Sequence, residues 1–399
     1  VFWDKPIDLA LNNLKKRVHA PVKLVLWDGR EIDLSDETRV TVRIKGARAA
    51  TAFAHPSLLT LAEAYIEGHA DVEGDVNAAI RSADAISRSE AKPMFDPHGT
   101  ARHTKRDDRE AIQHHYDVSN EFYALWLDPR MVYSCAYFRD EDDTLEQAQL
   151  QKLDHICTKL MLKPGEKFLD IGCGWGALAM RAAEKFGADA TGITLSENQF
   201  RLATERIRAA GLQDRCRVLL QDYRDAPGED VYDKIASVGM FEHVGLKNLP
   251  VYFGAVRRLL REKGLFLNHG ITSSDVENGA VGMGGGAFIG RYVFPRGELP
   301  HLHRAIYDMS VQDLEVHDVE CLRPHYAKTL GHWSANFEAN LDAAVSASSE
   351  RTARIWRIYL AGCAYGFEQG WMSIHQVLAS KRTRPGRTAL PLTRDWMYR

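Results

Sequence analysis

The sequence predicts an α/β protein in which a doubly wound, Rossmann-like parallel sheet follows a smaller α+β domain. The strongest signal is Phe168-Leu-Asp-Ile-Gly-Cys-Gly-Trp-Gly176, a short apolar strand running into three glycines and then an Ala-rich helix. That strand-turn-helix is how a chain cradles a nucleotide at a helix N-terminus. Apolar strands and amphipathic helices then alternate from Lys167 to His269, the pattern of a parallel sheet. At 399 residues the chain is also too long for one small core, so two domains are expected.

Residues 1–90 form the smaller domain. Val22–Trp27 followed by Asp28-Gly29 reads as a strand and turn, and Arg39–Lys45 turns Val40, Val42 and Ile44 to one face. From Ser57, Leu58, Leu61, Ala62, Tyr65 and Ile66 recur at helical spacing, and the helix ends near Gly68. Residues 91–110 carry two prolines and the mixed-charge run 102–110, which predicts a linker. The second domain, 111–399, opens with a helical segment containing His114–Tyr123, continues through Met131–Phe138, and has an amphipathic helix over about 144–162. Its strands are expected at Lys167–Asp170, Ala188–Thr194, Cys216–Gln221, Tyr232–Val238 and Leu265–His269, with helices at Ala177–Phe186 and 249–262, the latter closing at Gly264. Residues 273–300 hold Gly279, Gly282, Gly284, Gly285, Gly286 and Gly290, more glycine than a packed element tolerates, and are expected to form a lid or substrate loop.

Composition narrows the chemistry. A formal net charge of -3 gives no global attraction to nucleic acid or anionic lipid, so an electrostatic partner must be met by a local patch. No apolar run approaches the roughly 18 residues that span a bilayer. The opening residues carry no signal-peptide pattern. The six cysteines (135, 157, 173, 216, 321, 363) are scattered without a CxxC, which argues against structural zinc, iron–sulfur or a disulfide framework. No metal is expected, and a reducing cytoplasm is the expected location.

The glycine spacing is GxGxG, whereas a dinucleotide site wants GxGxxG and a ribose-binding acid about 20 residues on. Here Thr194 and Gln199 stand where that acid would be. Both departures point to S-adenosylmethionine. Gly172, Gly174 and Gly176 form its cradle. Asp170 orders the turn and approaches the methionine amine, and Thr194 with Gln199 meets the ribose. Gln221, Asp222 and Tyr223 end the third strand, with Asp222 placed to accept from the adenine amino group and Tyr223 to pack on the purine. Tyr133 and Ser134 are grouped with these cofactor binders. The reaction centre is expected around Tyr133-Ser134-Cys135, Phe241-Glu242-His243, His269 with Ile271, and Tyr326, which gather on one face of the sheet. A Cys135 thiolate nucleophile is disfavoured because no basic partner lies near it in sequence.

The segments His115-Tyr-Asp-Val-Ser-Asn120, Tyr133-Ser-Cys-Ala-Tyr137, Leu169–Gly176, Gln221-Asp-Tyr-Arg-Asp225 and Val238–Gly245 resemble, in order, the cyclopropane-fatty-acid-phospholipid synthases and the related mycolic acid cyclopropane synthases. The likeness spans about 110–340. Residues 57–80 also resemble the N-terminal domain of the bacterial phospholipid enzymes, which the mycolic acid branch lacks. The resemblance implies methyl transfer from S-adenosylmethionine to a cis double bond of a phospholipid acyl chain, then proton loss and ring closure. It further implies bound bicarbonate as the base, held by the Cys135 backbone, Glu242, His269, the Ile271 backbone and Tyr326. Aromatic faces such as Tyr137, Phe241 and Tyr326 would stabilise the carbocation.

The expected partner is unsaturated phospholipid at the inner membrane face, bound peripherally, with Lys381–Arg387 and the basic linker touching headgroups. Resemblance implies a homodimer organised through the N-terminal domain. The long Gly-rich segment departs from the phospholipid enzymes and leaves a methylene- or methyl-branched product as the alternative. A non-catalytic lipid-binding protein and an NAD-dependent oxidoreductase are the competing classes. Retention of the glycine cradle with Cys135, Glu242 and His269 argues against the former, and the glycine spacing against the latter.

Overall fold

A computed structural model describes residues 4–46, 52–53, 56–88, 118–277, 285–294, 297–383, 386 and 390–398. The expected linker 91–110, the segment through residue 117, and Gly279, Gly282 and Gly284 lie outside the described residues.

The N-terminal domain is a four-stranded sheet, β1 (Val22–Val25), β2 (Glu31–Asp33), β3 (Val40–Ile44) and β4 (Ala70–Gly74), in the order β2-β1-β3-β4. Helices Asp4–Arg17, Leu58–Ile66 and Val76–Arg88 accompany it. Ser57 starts the second of these with a capping box closed by Thr60, satisfying two end groups reciprocally. The first and third helices were not anticipated from periodicity.

The second domain is a seven-stranded sheet in the order β10-β11-β9-β8-β5-β6-β7. The strands are β5 (Lys167–Ile171), β6 (Asp189–Thr194), β7 (Cys216–Leu220), β8 (Tyr232–Val238), β9 (Leu260–Ser273), β10 (Leu314–Cys321) and β11 (Met372–Lys381). The five expected strands pair in parallel, and β11 runs antiparallel between β9 and β10. Order reverses between β5 and β8, the switch point where such sheets bind ligands at their carboxyl ends. Alternation along β5 sends Phe168 into the core under helices Leu145–Lys159, Ala177–Phe186 and Glu197–Ala209, and Leu169 into the core under Leu249–Leu259 and Leu302–Val311.

One boundary differs from expectation. The helix begun at Leu249 stops at Leu259, and β9 starts at once as a single long strand. Its register with β8 slips between Tyr232 and Lys234, so the residues around Gly264 form an irregular strand start and not a helix end. A Cβ at Gly264 would lie 2.9 Å from the Asp233 carbonyl oxygen, a backbone approach only glycine allows.

Over the carboxyl ends lies a third core built by the C-terminal helices Arg323–Ala339 and Glu350–Glu368 with Phe122, Tyr123, Trp126, Trp175, Trp333 and Trp356. Ile66 of the N-terminal domain joins it, and polar contacts reinforce the junction. Arg354 reaches Asp71 at 2.7 Å and the Tyr65 carbonyl at 2.7 Å. Arg357 forks onto Glu338 at 2.7 and 2.8 Å while donating to the Tyr65 hydroxyl at 3.1 Å.

Candidate active site

A cleft of about 130 Å³ opens at the switch point, lined by Tyr133, Ser134, Asp170, Gly172, Gly174, Thr194, Gln199, Gln221 and Tyr223. The glycine turn has positive φ at 172, 174 and 176. A Cβ on Gly172 would sit 2.7 Å from the Met240 Cβ, so that glycine is needed for packing, whereas one on Gly174 would meet nothing within 4 Å. Gly174 therefore borders the space a ligand needs. Gly176 does not line the cleft. It caps helix Ala177–Phe186 without a side-chain hydrogen bond, and a Cβ on it would lie 3.2 Å from the Cβ of Ala203.

Thr194 donates to Gln199 Oε1 at 2.8 Å, which leaves the Gln199 amide group facing the cleft region. Asp222 follows β7 with its carboxylate engaged by both Nε and Nη2 of Arg224, at 2.9 and 2.6 Å, and capping the turn Tyr223–Asp225. It is Arg224 and Tyr223 that line the cleft.

Asp170 is buried, and burial lifts its carboxyl to about 7 against the opposing pull of the Lys152 ammonium. Lys152 is itself buried, its Nζ donating to Ser134 Oγ at 2.7 Å, and burial lowers it to about 8. A cationic ligand would restore the Asp170 charge. An open glycine cradle, an uncapped helix N-terminus and a charge-starved carboxyl all fit S-adenosylmethionine, whose amine and sulfonium are positive and whose carboxylate is negative.

A second cavity of about 100 Å³ adjoins the cleft and shares Tyr133, Ser134, Gly239 and His243 with it. Cys135, Glu242, His269 with Ile271, and Tyr326, brought from four separate segments, all line it. Glu242 stands on the turn Phe241–His243 beyond β8, its Oε1 accepting from the Ile271 N–H at 2.6 Å. Burial raises its carboxyl to about 7, and the Ile271 N–H opposes the rise. His269 sits on β9 directly opposite Gln376 of β11. Lys159 Nζ donates to Gln376 Oε1 at 3.2 Å, which turns the amide nitrogen onto His269 Nδ1 at 3.1 Å. The imidazole is thereby an Nε2–H donor, and burial with the nearby Lys152 and Lys159 charges holds it neutral.

Among the described residues, Glu242 Oε2 and His269 Nε2 are buried with no hydrogen-bond partner. Two such atoms on one small chamber are costly, unless a bound group both donates to the carboxylate and accepts from the imidazole. Cys135 supplies no nucleophile. Its thiol is fully buried, donates to the Ala136 carbonyl at 3.2 Å, and is held well above its usual range by burial.

Of the three rings expected to face a cation, only Tyr326 lines the chamber. Tyr137 is stacked between His155 and His325, at 4.2 and 4.8 Å, and Phe241 packs against Gly270 in the core. Tyr133, Phe294, Tyr359 and Phe367 supply the other aromatic walls. Gln376, Lys159, Lys152 and Tyr359 were missed. The sequence held only one indirect sign of them, lysines within the apolar periodicity of helix Leu145–Lys159. In the basic C-terminal run, Lys381 pairs with Asp230 and is nearly buried, so it is not free for headgroups; Arg384 and Arg387 lie outside the described residues. No described helix is long and apolar enough to cross a membrane. No group of three or more metal-ligating side chains occurs among the described residues.

Residues 103–377 match the family model for mycolic acid cyclopropane synthetase, and residues 10–92 match a domain of unknown function. A probable fatty acid methyltransferase of Pseudomonas putida is 50% identical over 383 residues, covering 96% of this chain and 97% of that protein. The cyclopropane-fatty-acyl-phospholipid synthase of Escherichia coli is 40% identical over 272 residues, 68% of each chain. Among solved structures, mycolic acid cyclopropane synthase CmaA1 with SAH and CTAB superposes with a TM-score of 0.65 at 38% identity, covering 68% of this chain and 98% of that one. With its switch-point cleft and GxGxG cradle, the chain belongs to the mycolic acid cyclopropane synthetase family and is an S-adenosylmethionine-dependent methyltransferase.

Proposed function

We propose that the protein transfers a one-carbon unit from S-adenosylmethionine to a cis double bond of a phospholipid acyl chain and closes it to a cyclopropane. The observation that carries this reading is the pair of unpartnered buried atoms, Glu242 Oε2 and His269 Nε2, on residues that line a largely apolar chamber beside the cofactor cleft. In the reaction an alkene carbon takes the sulfonium methyl, S-adenosylhomocysteine leaves, and the other alkene carbon becomes a cation. Loss of a proton from the new methyl group then closes the ring. An alkene is a weak nucleophile, so the walls must align it with the sulfonium and exclude water. Tyr133, Tyr326 and Tyr359 line the chamber with faces that suit a carbocation.

Bicarbonate bound in the chamber would supply the base for that proton. It fits the donor set: Glu242 Oε2 would accept from its hydroxyl and His269 Nε2–H would donate to an oxygen. Cys135, Ile271 and Tyr326 line the same space, and the Ile271 N–H is engaged by Glu242 Oε1.

A second reading is a methylene-branched product, formed when a 1,2-hydride shift moves the cation to the methyl-bearing carbon and the methyl group then loses a proton; the methyl-branched product would need a hydride donor in a further reductive step. The Pseudomonas putida relative that matches along nearly the whole chain is described as a probable fatty acid methyltransferase, whereas the phospholipid synthase matches only 68% of it. The chain is proposed to act as a homodimer at the membrane surface, which sedimentation with and without vesicles tests.

The deciding experiment is mass spectrometry of unsaturated phospholipid vesicles incubated with the protein and methyl-labelled S-adenosylmethionine. A gain of one CH2 that takes up no hydrogen on mild hydrogenation is the expected result. A CH2 gain that does take up hydrogen identifies the methylene branch, and no gain overturns the proposal.

A further inference from the structure

We propose that the cavity between the N-terminal domain and helix Glu350–Glu368 receives the methyl-terminal segment of the substrate acyl chain, making the N-terminal domain a gauge of where the double bond lies. The inference rests on the lipid acyl reading above.

This cavity, about 150 Å³, has one wall from each domain. Val42 and Val72 of the N-terminal sheet, with Leu61 and Ala79 of its helices, face Ile358 and Gly362. The apolar stripe Leu58, Leu61, Ala62, Tyr65 of helix Leu58–Ile66 is therefore spent on this hollow as much as on a packed core. The polar side chains at its edge are already engaged. Arg357 is bound to Glu338, the Tyr65 hydroxyl and the Val72 carbonyl, and the Ser82 hydroxyl donates to the Ala78 carbonyl at 2.7 Å. These walls offer a headgroup little to recognise and suit hydrocarbon.

The cavity also adjoins the reaction chamber. Ile289, Tyr359, Cys363 and Met372 line both, so these four residues belong to the partition between them. One of the four is an unbranched thioether able to change rotamer as a chain passes. A double bond within an acyl chain, held beside Glu242 and His269, leaves hydrocarbon on both sides. The carboxyl side must lead back to the headgroup, so the methyl side needs an apolar space away from it. The walls contributed by residues 22–86 lie outside the family model, which begins at residue 103, so this gauge is a feature of the two-domain chain.

Gly362 allows a direct test. It lines this cavity but not the reaction chamber, and a Cβ there would meet nothing within 4 Å. Gly362→Phe is thus a plug whose Cβ at least enters open space. Full-length protein would be given phospholipid vesicles and methyl-labelled S-adenosylmethionine. The acyl chains would share a carboxyl-side length but differ in the number of carbons beyond the cis double bond. The plug should cut kcat/KM more than tenfold on the longest methyl-terminal segments and less than twofold on the shortest. Varying the carboxyl side should leave the ratio of variant to wild type unchanged. Equal loss on every chain, or no change in preference, overturns the proposal. Ala79→Leu, on the opposite wall, repeats the test should Gly362→Phe not fold.

A readout independent of turnover is photocrosslinking with a phospholipid carrying a diazirine at the methyl end of one acyl chain. Label is expected in peptides from 58–86 and 357–363, and label confined to other peptides overturns the proposal. Should wild type label no lipid while the probe still reaches these peptides, the catalytic reading fails and the acyl site stands.

Discussion

Replacing Glu242 by Gln keeps the shape of a buried side chain and removes its charge. Burial raises this carboxyl from 4.5 to about 7, and one pH unit corresponds to 1.36 kcal/mol, so holding the carboxylate ionised costs about 3 kcal/mol of folding stability. The sign follows from a folded pKa above the unfolded one. The cost is absent below about pH 4.5, where folded and unfolded chains both carry the neutral acid. It grows as the unfolded chain ionises, and is complete above about pH 7, where the folded chain ionises too. The amide keeps the acceptor for the Ile271 N–H, now 2.6 Å away, and sheds the charge penalty. Ligand-free E242Q should therefore be more stable than wild type by about 3 kcal/mol at pH 8, shrinking below about 1 kcal/mol at pH 5. Methyl transfer should fall by about 10²- to 10³-fold, the scale of losing one preorganised polar contact in a dry site. Urea unfolding at the two pH values, in bicarbonate-free buffer, reads the stability. An E242Q protein no more stable than wild type at pH 8, or equally stabilised at pH 5, would refute the claim that a charge is stored there.

Four further outcomes are expected. Because Asp170 titrates near 7, affinity for S-adenosylmethionine should rise about tenfold between pH 6 and pH 8 as the ionised fraction grows, and D170N should bind it with no such dependence in calorimetry. Gln376→Leu should leave His269 Nδ1 unpartnered and release its tautomer. About 1–3 kcal/mol of stability should be lost, with kcat reduced and S-adenosylhomocysteine affinity unchanged; imidazole ¹⁵N shifts of His269 would report the tautomer directly. Gly174→Ala should cost only about 1–2 kcal/mol of stability for its left-handed backbone, yet weaken S-adenosylhomocysteine binding more than tenfold by placing a methyl at the cleft. Gly172→Ala, colliding with Met240, should instead show its main defect in stability.

Local chemistry determined much of this protein from sequence. The strand ending at Ile171, the glycine turn and the helix from Ala177 were legible because alternation, positive-φ glycines and helical periodicity act over a few residues. The same holds for the parallel strands β6 to β8 and for the ends of those strands, where Thr194 and Glu242 emerge. The five residues now found around the chamber were picked out among polar groups at the strand ends and joined into one set by family likeness, since Cys135 and Tyr326 carry no local sign that they meet. Only tertiary structure decided the rest. The antiparallel register of β11 sets Gln376 across from His269, and Lys159 from a helix more than 200 residues earlier in the chain orients that amide. The pairing of Asp222 with Arg224 two residues on was not legible, and Tyr137 was misjudged because its ring stacks between two histidines from distant segments. The apolar stripe beginning at Leu58 reads the same whether it faces a packed core or a hollow, because periodicity records which face avoids water and not what fills the space beyond it.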